Sequence, residues 1–301
     1  MTDVMTIAVK KLHPLFAAEM TGVQLSGDID AQTRNAVEHA MDQHAVLVVR
    51  DQQLDDAKQV AFTRLYGPPE TVTPVRGKSD KDMAHSRIAL KEVFDISNLD
   101  EHGKILDLDD QRRAYRVGNE LWHTDSSFRQ KSATWSMLHA RIIPPVGADT
   151  EFVDTRAAYD ALSDTMKKKL DGLVAEHSIW HSRSTLGNYV PTEEERTMRP
   201  PAHHPVVRKH PGSGRMALYL ASHASHILGW PVEDGRALLR ELIEFATQPR
   251  FIYAHQWRRG DLVIWDNRCT MHRATPFESA THVRDMRRTT IVDTSAWTQL
   301  H

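Results

Sequence analysis

The stretch FIYAHQWRRGDLVIWDNRCTMHRA (residues 251–274) gives the clearest indication of the fold. Its first two runs, 251–257 and 261–267, are rich in β-branched and aromatic residues, and a short glycine-containing turn separates them. Such a pattern predicts a β-hairpin. Runs of the same kind predict further strands, at 133–143, 150–155, 215–221 and 287–293.

Helical patterns are fewer and lie between these strands. Apolar residues spaced for one helix face predict helices at 28–44, 56–66, 156–171 and 233–247. A chain with many short strands and few helices favours a β-barrel or jelly roll, mainly β with helices at its periphery. The alternating strand–helix order of a doubly wound sheet is missing, as are the glycine loops that bind nucleotides. We expect a single domain over residues 1–301.

One long segment lacks either pattern. Residues 67–118 are polar and irregular, and a structureless segment of that length within a compact domain is usually disordered or a functional lid. We therefore expect an active-site lid at about 75–118.

Composition excludes several classes of protein. The 301 residues contain 38 Lys and Arg against 40 Asp and Glu, for a formal net charge of -2. This balance argues against a nucleic acid or a membrane surface as partner. The single cysteine, Cys269, precludes an intrachain disulfide and fits a reducing compartment. Without a signal-peptide pattern or a long apolar run, we expect a cytoplasmic protein, and a homo-oligomer stays open.

The segment ELWHTDSS (120–127) supplies a candidate metal site. His123 and Asp125 are two positions apart, so an extended chain directs both side chains to one ligand. His272, just past the predicted strand 261–267, is a candidate third ligand. Two imidazoles and one carboxylate form the facial set that binds Fe(II) and leaves positions open for O2 and a chelating co-substrate. Alone the pattern is weak, because the chain has 18 histidines and most His-x-Asp triplets are structural.

Other histidine groups point less clearly to metal. The pairs His177/His181 and His223/His226 have spacings that suit zinc, but neither has the glutamate of an H-E-x-x-H motif. The segment AHHP (202–205) predicts an exposed loop.

The segment HVRDMRRTTI (282–291) adds three arginines beside a β-branched strand. A guanidinium is the natural two-pronged partner of a carboxylate. On a strand, Arg284 and Arg288 share a face and could bind two anions, whereas Arg287 points away and is expected to be structural. The alternative is a solvated basic strand end.

Six segments in order give the chain a resemblance to a known family. LHPLFAAEMTGVQL, LWHTDSSF, GADTEFVDTRAAYDAL, HPGSGRMALYLASHASHI, GDLVIWDNRCTMHRA and RDMRRTT all resemble the taurine dioxygenase-like Fe(II)/2-oxoglutarate-dependent dioxygenases. The resemblance implies a double-stranded β-helix, a jelly roll, over nearly the whole chain. It implies that His123, Asp125 and His272 bind Fe(II).

The resemblance also assigns residues to the organic ligands. Arg284, with help from Thr150, would bind the distal carboxylate of 2-oxoglutarate, and Trp265 would line its pocket. Arg288 and Asn119 would contact the substrate.

The implied activity is hydroxylation of a small anionic organic substrate, with 2-oxoglutarate and O2 as co-substrates. An aryloxyacetate-type acid, cleaved at its ether to a phenol and glyoxylate, is the leading expectation. A sulfonate or alkyl sulfate is the alternative, since one arginine can hold either anion. A non-catalytic jelly-roll binding protein and a zinc hydrolase are remoter alternatives. The intact triad argues against the first, and two arginines spaced for two anions argue against the second.

Overall fold

Two sheets that face each other form the frame of the protein. A computed structural model describes residues 6–72, 87–108, 110, 113, 118–186 and 190–295. In chain order the strands are β1 (Ala8–Lys11), β2 (Ala18–Thr21), β3 (Val46–Val49), β4 (Phe94–Ser97), β5 (Ala133–Ile142), β6 (Thr150–Asp154), β7 (Val174–His177), β8 (Ala202–Pro205), β9 (Val207–Lys209), β10 (Met216–Leu218), β11 (Ala224–Ile227), β12 (Ile252–His255), β13 (Leu262–Asp266), β14 (Thr270–Ala274) and β15 (Asp285–Val292). The α-helices are α1 (Ala31–His44), α2 (Asp56–Arg64), α3 (Thr155–Asp160), α4 (Asp164–Leu170), α5 (Ile179–Leu186), α6 (Glu193–Met198) and α7 (Val232–Ala246).

The larger sheet has the strand order β1-β2-β3-β13-β5-β15-β4 and is antiparallel except where β2 runs parallel to β3. Its strands β3 and β13 are nearly continuous apolar runs, as expected for strands whose two faces are both buried. On β13, Leu262 and Ile264 pack with side chains of α1 and α2 on the outer face. Val263 and Trp265 alternate with them and face the smaller sheet. The apolar side chains buried on the two faces of these strands form the main core of this sheet.

The smaller sheet, β12-β6-β14, is antiparallel and lies over the inner face of the larger one. Phe152 of β6 packs on Trp265 of β13, with ring centroids 5.6 Å apart. On the other side, the smaller sheet is covered by α3, α7 and the strands β7 and β10, which form a separate apolar cluster. Two facing, mostly antiparallel sheets confirm the predicted jelly roll with peripheral helices.

The predicted hairpin of 251–257 and 261–267 is wrong. β12 pairs with β6 in the smaller sheet, whereas β13 lies between β3 and β5 in the larger one. The connection turns a corner between the sheets, and the Asp261 carboxylate anchors it by accepting hydrogen bonds from Arg258 N (2.8 Å) and His255 Nε2 (3.0 Å). Trp257, at the end of the first run, is buried between the sheets instead of pairing across a turn.

Helix limits differ from the predictions for identifiable reasons. Helix α1 begins at Ala31 and not at 28, because the Asp30 side chain caps it by accepting from Thr33 N at 2.7 Å. The predicted helix 156–171 is two helices, α3 and α4. The first ends at Asp160, and Ser163 caps the start of the second, with its side chain accepting from Met166 N.

Two segments expected to be irregular contain strands. AHHP is strand β8 and not an exposed loop, since His204 is buried and bonds to Ser127 O through Nε2 at 2.7 Å. Within the expected lid, β4 is an edge strand of the larger sheet, paired with β15. Arg87 fastens it through ion pairs to Asp95 and Asp285, each at 2.9 Å. Residues 73–86, 109, 111–112 and 114–117 lie outside the described residues, so the lid stays a prediction.

Within the described part of the chain, each helix is too short or too polar to cross a lipid bilayer.

Candidate active site

The two candidate histidine ligands face each other across a short antiparallel bridge. His123 N donates to His272 O at 3.0 Å, and His272 N donates to His123 O at 2.8 Å. Strand β14 carries His272, so this bridge joins the ELWHTDSS segment to the smaller sheet. Between the two predicted ligands, Thr124 points the opposite way, and its one hydroxyl proton is shared between Leu220 O at 2.9 Å and Thr270 O at 3.0 Å, which fixes the segment. His123 and Asp125 therefore share one side, as the two-residue spacing predicts.

The three candidate ligands form a compact buried group. His123, Asp125 and His272 are 6%, 4% and 6% exposed, and one donor atom from each lies within 4.8 Å of the others. The Nε2 atoms of His123 and His272 lie 4.0 and 3.9 Å from the Asp125 carboxylate oxygens. His123 Nδ1 lies 2.7 Å from Leu121 O. A carbonyl only accepts, so Nδ1 carries the proton and the Nε2 lone pair faces the carboxylate.

The protonation states suit a metal site. Burial lowers the pKa of His123 and lowers that of His272 well below its usual value, so both imidazoles are neutral. Burial by itself raises the pKa of Asp125, but the Arg288 guanidinium, together with a hydrogen bond from Ser136, outweighs it and keeps that pKa below its usual value. Two neutral imidazoles and one ionised carboxylate form a donor set that fits Fe(II).

A cavity of about 40 Å³ adjoins the three ligands, and its walls must move apart to admit an organic acid. Three apolar residues, Ile96, Leu138 and Ala274, form part of its wall. The rest of the wall consists of all the predicted site residues except Asp125, namely Asn119, His123, Thr150, Trp265, His272, Arg284 and Arg288. The structure therefore brings the candidate metal ligands and the candidate anion-binding residues to one place.

Two side chains that the sequence did not suggest hold Thr150 and the main chain of Arg284 in place. Trp257 Nε1 donates to Thr150 Oγ1 at 3.0 Å, which leaves the Thr150 hydroxyl proton free to be donated into the cavity. Asn98 Oδ1 accepts from the backbone N of Arg284 at 2.8 Å. Arg284 is 8% exposed, so an anion beside it would be largely shielded from water.

The arginines of β15 divide as expected between the two faces of the strand. Arg288 Nη1 donates to Asp125 Oδ1 at 2.5 Å, and its guanidinium lies 5.0 Å from the centre of the Phe94 ring. Arg287 points to the other face and pairs with Asp285, with Asp56 within 3.7 Å. Arg287 therefore stabilises β15 through its ion pairs, whereas Arg288 lines the cavity.

The histidine pairs considered for zinc do not form a metal site in the described part of the chain. His223 lies beside the candidate site, with its ring centre 6.4 Å from that of His123, and its Nδ1 contacts Ser182 Oγ at 2.8 Å. Neither His223/His226 nor His177/His181 belongs to a group of three donors there.

A second described group, His210, Asp266 and Cys269, also brings three donors together. Its carboxylate is already saturated, because Asp266 Oδ2 accepts from Trp135, His210 and Arg268 at 2.5–3.0 Å. This group is a structural anchor.

Comparison with known proteins agrees with this geometry. The family described as "Taurine catabolism dioxygenase TauD, TfdA family" matches residues 8–290. An alpha-ketoglutarate-dependent 2,4-dichlorophenoxyacetate dioxygenase of Burkholderia sp. (strain RASC) is 46% identical over 286 residues, covering 95% of this chain and 94% of that protein. An alpha-ketoglutarate-dependent sulfate ester dioxygenase of Pseudomonas putida is 32% identical over 291 residues, covering 93% and 88%.

A solved structure shows the same fold. AAD-2 in complex with Mn(II) and N-oxalylglycine superposes with a TM-score of 0.87 at 43% identity, covering 97% of this chain and 98% of that one. The family match spans nearly the whole chain, and the fold and the grouping of site residues agree with it. The chain therefore belongs to the TauD/TfdA family of dioxygenases.

Proposed function

We propose that this protein is an Fe(II)- and 2-oxoglutarate-dependent dioxygenase that hydroxylates an aryloxyacetate-type acid. The observation that supports it most is a single cavity lined by two candidate metal-binding histidines and by two arginines, Arg284 and Arg288. Two separate guanidinium groups suit a reaction in which a dicarboxylate co-substrate and an anionic substrate bind together. The similarity to a 2,4-dichlorophenoxyacetate dioxygenase supports the substrate class.

His123, Asp125 and His272 would hold the iron. When bound, Fe(II) supplies the oxidative decarboxylation of 2-oxoglutarate by O2 and, coupled to it, the oxidation of the substrate. The neutral imidazoles and the ionised carboxylate need not lose a proton before metal binding, which lowers its cost at neutral pH.

Arg284 and Thr150 would bind the distal carboxylate of 2-oxoglutarate. Both line the cavity, and each is fastened from behind, Arg284 by Asn98 and Thr150 by Trp257. A charged fork and a hydroxyl donor can satisfy both oxygens of one carboxylate. Trp265 would form the aromatic wall of the same pocket, and it is 1% exposed.

Arg288 would bind the anionic group of the primary substrate, with Asn119 beside it. Its guanidinium reaches the Asp125 carboxylate, so an anion held by it would lie next to the metal ligands. Hydroxylation of the carbon between the ether oxygen and the carboxylate gives a hemiacetal. That hemiacetal breaks between the ether oxygen and the hydroxylated carbon. The oxygen leaves with the ring as a phenol, and the hydroxyl gives up its proton to the phenolate and becomes the aldehyde of glyoxylate.

A sulfate ester is the second candidate substrate. A guanidinium binds sulfate oxygens as readily as carboxylate oxygens, and the similarity to a sulfate ester dioxygenase supports this class more weakly than the first. Cytoplasmic location and self-association stay predictions.

A succinate-release assay tests the proposal. The iron-loaded protein receives 2-oxoglutarate, O2 and one of a panel of aryloxyacetates, aryloxypropionates, cinnamates, taurine and alkyl sulfates. We expect aryloxyacetates to stimulate succinate release most strongly, with equal amounts of phenol and glyoxylate. Stimulation by alkyl sulfates alone would favour the second candidate, and no stimulation by any anion would contradict the proposal.

A further inference from the structure

A buried amide links the Asp125 carboxylate to the wall of the cavity. Asn267 follows β13 directly and is fully buried. Its Oδ1 lies 3.2 Å from Asp125 N and 3.1 Å from Trp265 Nε1, and its Nδ2 lies 2.9 Å from Ser136 Oγ. Ser136 Oγ in turn lies 2.7 Å from Asp125 Oδ2. These contacts form a closed ring that starts at the main chain of Asp125 and ends at its carboxylate.

The direction of each hydrogen bond in this ring follows from the chemistry of the groups. A backbone N–H and an indole N–H only donate, so the amide oxygen of Asn267 must face them and its NH2 must face Ser136. Ser136 Oγ accepts from that NH2, and its one proton is left for Asp125 Oδ2. The Thr290 hydroxyl, 3.1 Å away, is in place to donate to the same serine oxygen.

The ring also limits how Asp125 can meet Arg288. Arg288 donates to Oδ1, while Ser136 donates to Oδ2. Without the serine, the carboxylate could rotate so that both oxygens face the guanidinium, which is the strongest geometry for such a pair. Both oxygens would then be withdrawn from a metal held by the two histidines.

We propose that Ser136 and Asn267 are positioning residues, which hold Asp125 ready to bind the metal beside His123 and His272. The inference rests on the metal site of the proposed function. Because Trp265 donates to the same amide oxygen, the ring also fixes the aromatic wall of the co-substrate pocket relative to Asp125. Mutation of a group that hydrogen-bonds to a metal ligand typically weakens metal binding by about 10- to 100-fold.

Three variants of the full-length protein test this. Ser136→Ala removes the donor to Asp125 and leaves Asn267 in place. Asn267→Asp keeps the shape, but its new carboxylate oxygen would attract the Ser136 proton away from Asp125. Thr289→Val is the matched control: it removes a buried hydroxyl from strand β15, one that contacts Thr63 Oγ1 at 2.7 Å, outside the ring.

The measurement is Mn(II) binding to metal-free protein, followed by the electron paramagnetic resonance signal of free Mn(II). Thermal unfolding of the same metal-free samples shows that each variant is folded. We expect Ser136→Ala to weaken Mn(II) binding by about 10- to 100-fold. Asn267→Asp should weaken it at least as much, and Thr289→Val should bind like the unaltered protein despite a lower Tm.

The outcomes separate the inference from the function on which it rests. If folded Ser136→Ala binds Mn(II) as tightly as the unaltered protein or the Thr289→Val control, the positioning role is wrong, whatever Asn267→Asp does. If the unaltered protein itself fails to bind Mn(II), the proposed metal site is wrong, and the inference falls with it.

Discussion

Replacing Arg284 with alanine would remove the guanidinium that we expect to bind 2-oxoglutarate. Arg284 is 8% exposed and lines the cavity beside Thr150. A carboxylate bound there would lose most of its water, so its stability in the cavity depends on the charged partner. Truncating one member of such a buried ion pair costs about 2–5 kcal/mol of binding free energy.

The lower part of that range applies here, because Thr150 keeps its hydroxyl in the variant. A loss of about 2 to 3.5 kcal/mol corresponds to weakening of 2-oxoglutarate binding by roughly 30- to 400-fold. Isothermal titration of 2-oxoglutarate into Mn(II)-loaded protein, without O2, measures this directly.

Arg287→Gln is the matched control. Arg287 is equally buried at 9% exposure but lies on the other face of β15, paired with Asp285. Its loss should lower the free energy of unfolding and leave 2-oxoglutarate affinity within about twofold, since no contact with the cavity is lost. Binding by Arg284→Ala within about threefold of the unaltered protein, or equal weakening in both variants, would refute the assignment of Arg284.

Three further predictions test other parts of the structure. Arg288→Ala should abolish stimulation by the primary substrate while 2-oxoglutarate still binds; equal weakening of 2-oxoglutarate binding in titration would show that the two arginines do not have separate roles. Burial raises the pKa of Asp285, but hydrogen bonds from Arg87 and Arg287 lower it overall, so this carboxylate stabilises the fold above its unfolded pKa of about 4 and loses that effect as the pH falls. In urea unfolding, Asp285→Asn should therefore have a lower free energy of unfolding at pH 7 than the unaltered protein, and this free energy should fall less between pH 5 and 3. The same fall in both proteins would contradict this. Asp30→Ala removes the cap of α1 and should cost about 1 kcal/mol in the same assay, and an unchanged midpoint would show that the cap contributes little.

The sequence was sufficient to find most of the candidate site. His123 and Asp125 share one side because the intervening Thr124 is anchored in the opposite direction, as alternation in an extended chain predicts. The same alternation separates Arg288 from Arg287 on β15. These features depend on local geometry, which spacing along the chain reveals.

Pairing between distant strands was harder to predict. The runs 251–257 and 261–267 are both β-forming, but a local pattern does not say which strand will be the partner. Here the partners are β6 for one run and β3 and β5 for the other. Strand β4 was missed because it is short and polar at its surface, and its stability depends on the ion pairs of Arg87 with Asp95 and with Asp285, which is far along the chain.

The residues that support the site were also missed, although a signal existed. Ser136 is a polar residue within an apolar strand and Asn267 directly follows one, and both are fully buried. A buried polar side chain must find partners, so such positions indicate a hydrogen-bond network. The sequence does not show that the partner is Asp125, because that contact depends on how β5 and β13 pair.

The most direct test of the central claim is an absorption spectrum of the protein with Fe(II) and 2-oxoglutarate in the absence of O2. Chelation of an iron bound by His123, Asp125 and His272 predicts a weak visible charge-transfer band. The band should be absent from folded His272→Ala protein, which lacks one ligand. No band in the folded, unaltered protein, or an undiminished band in the variant, would contradict the account.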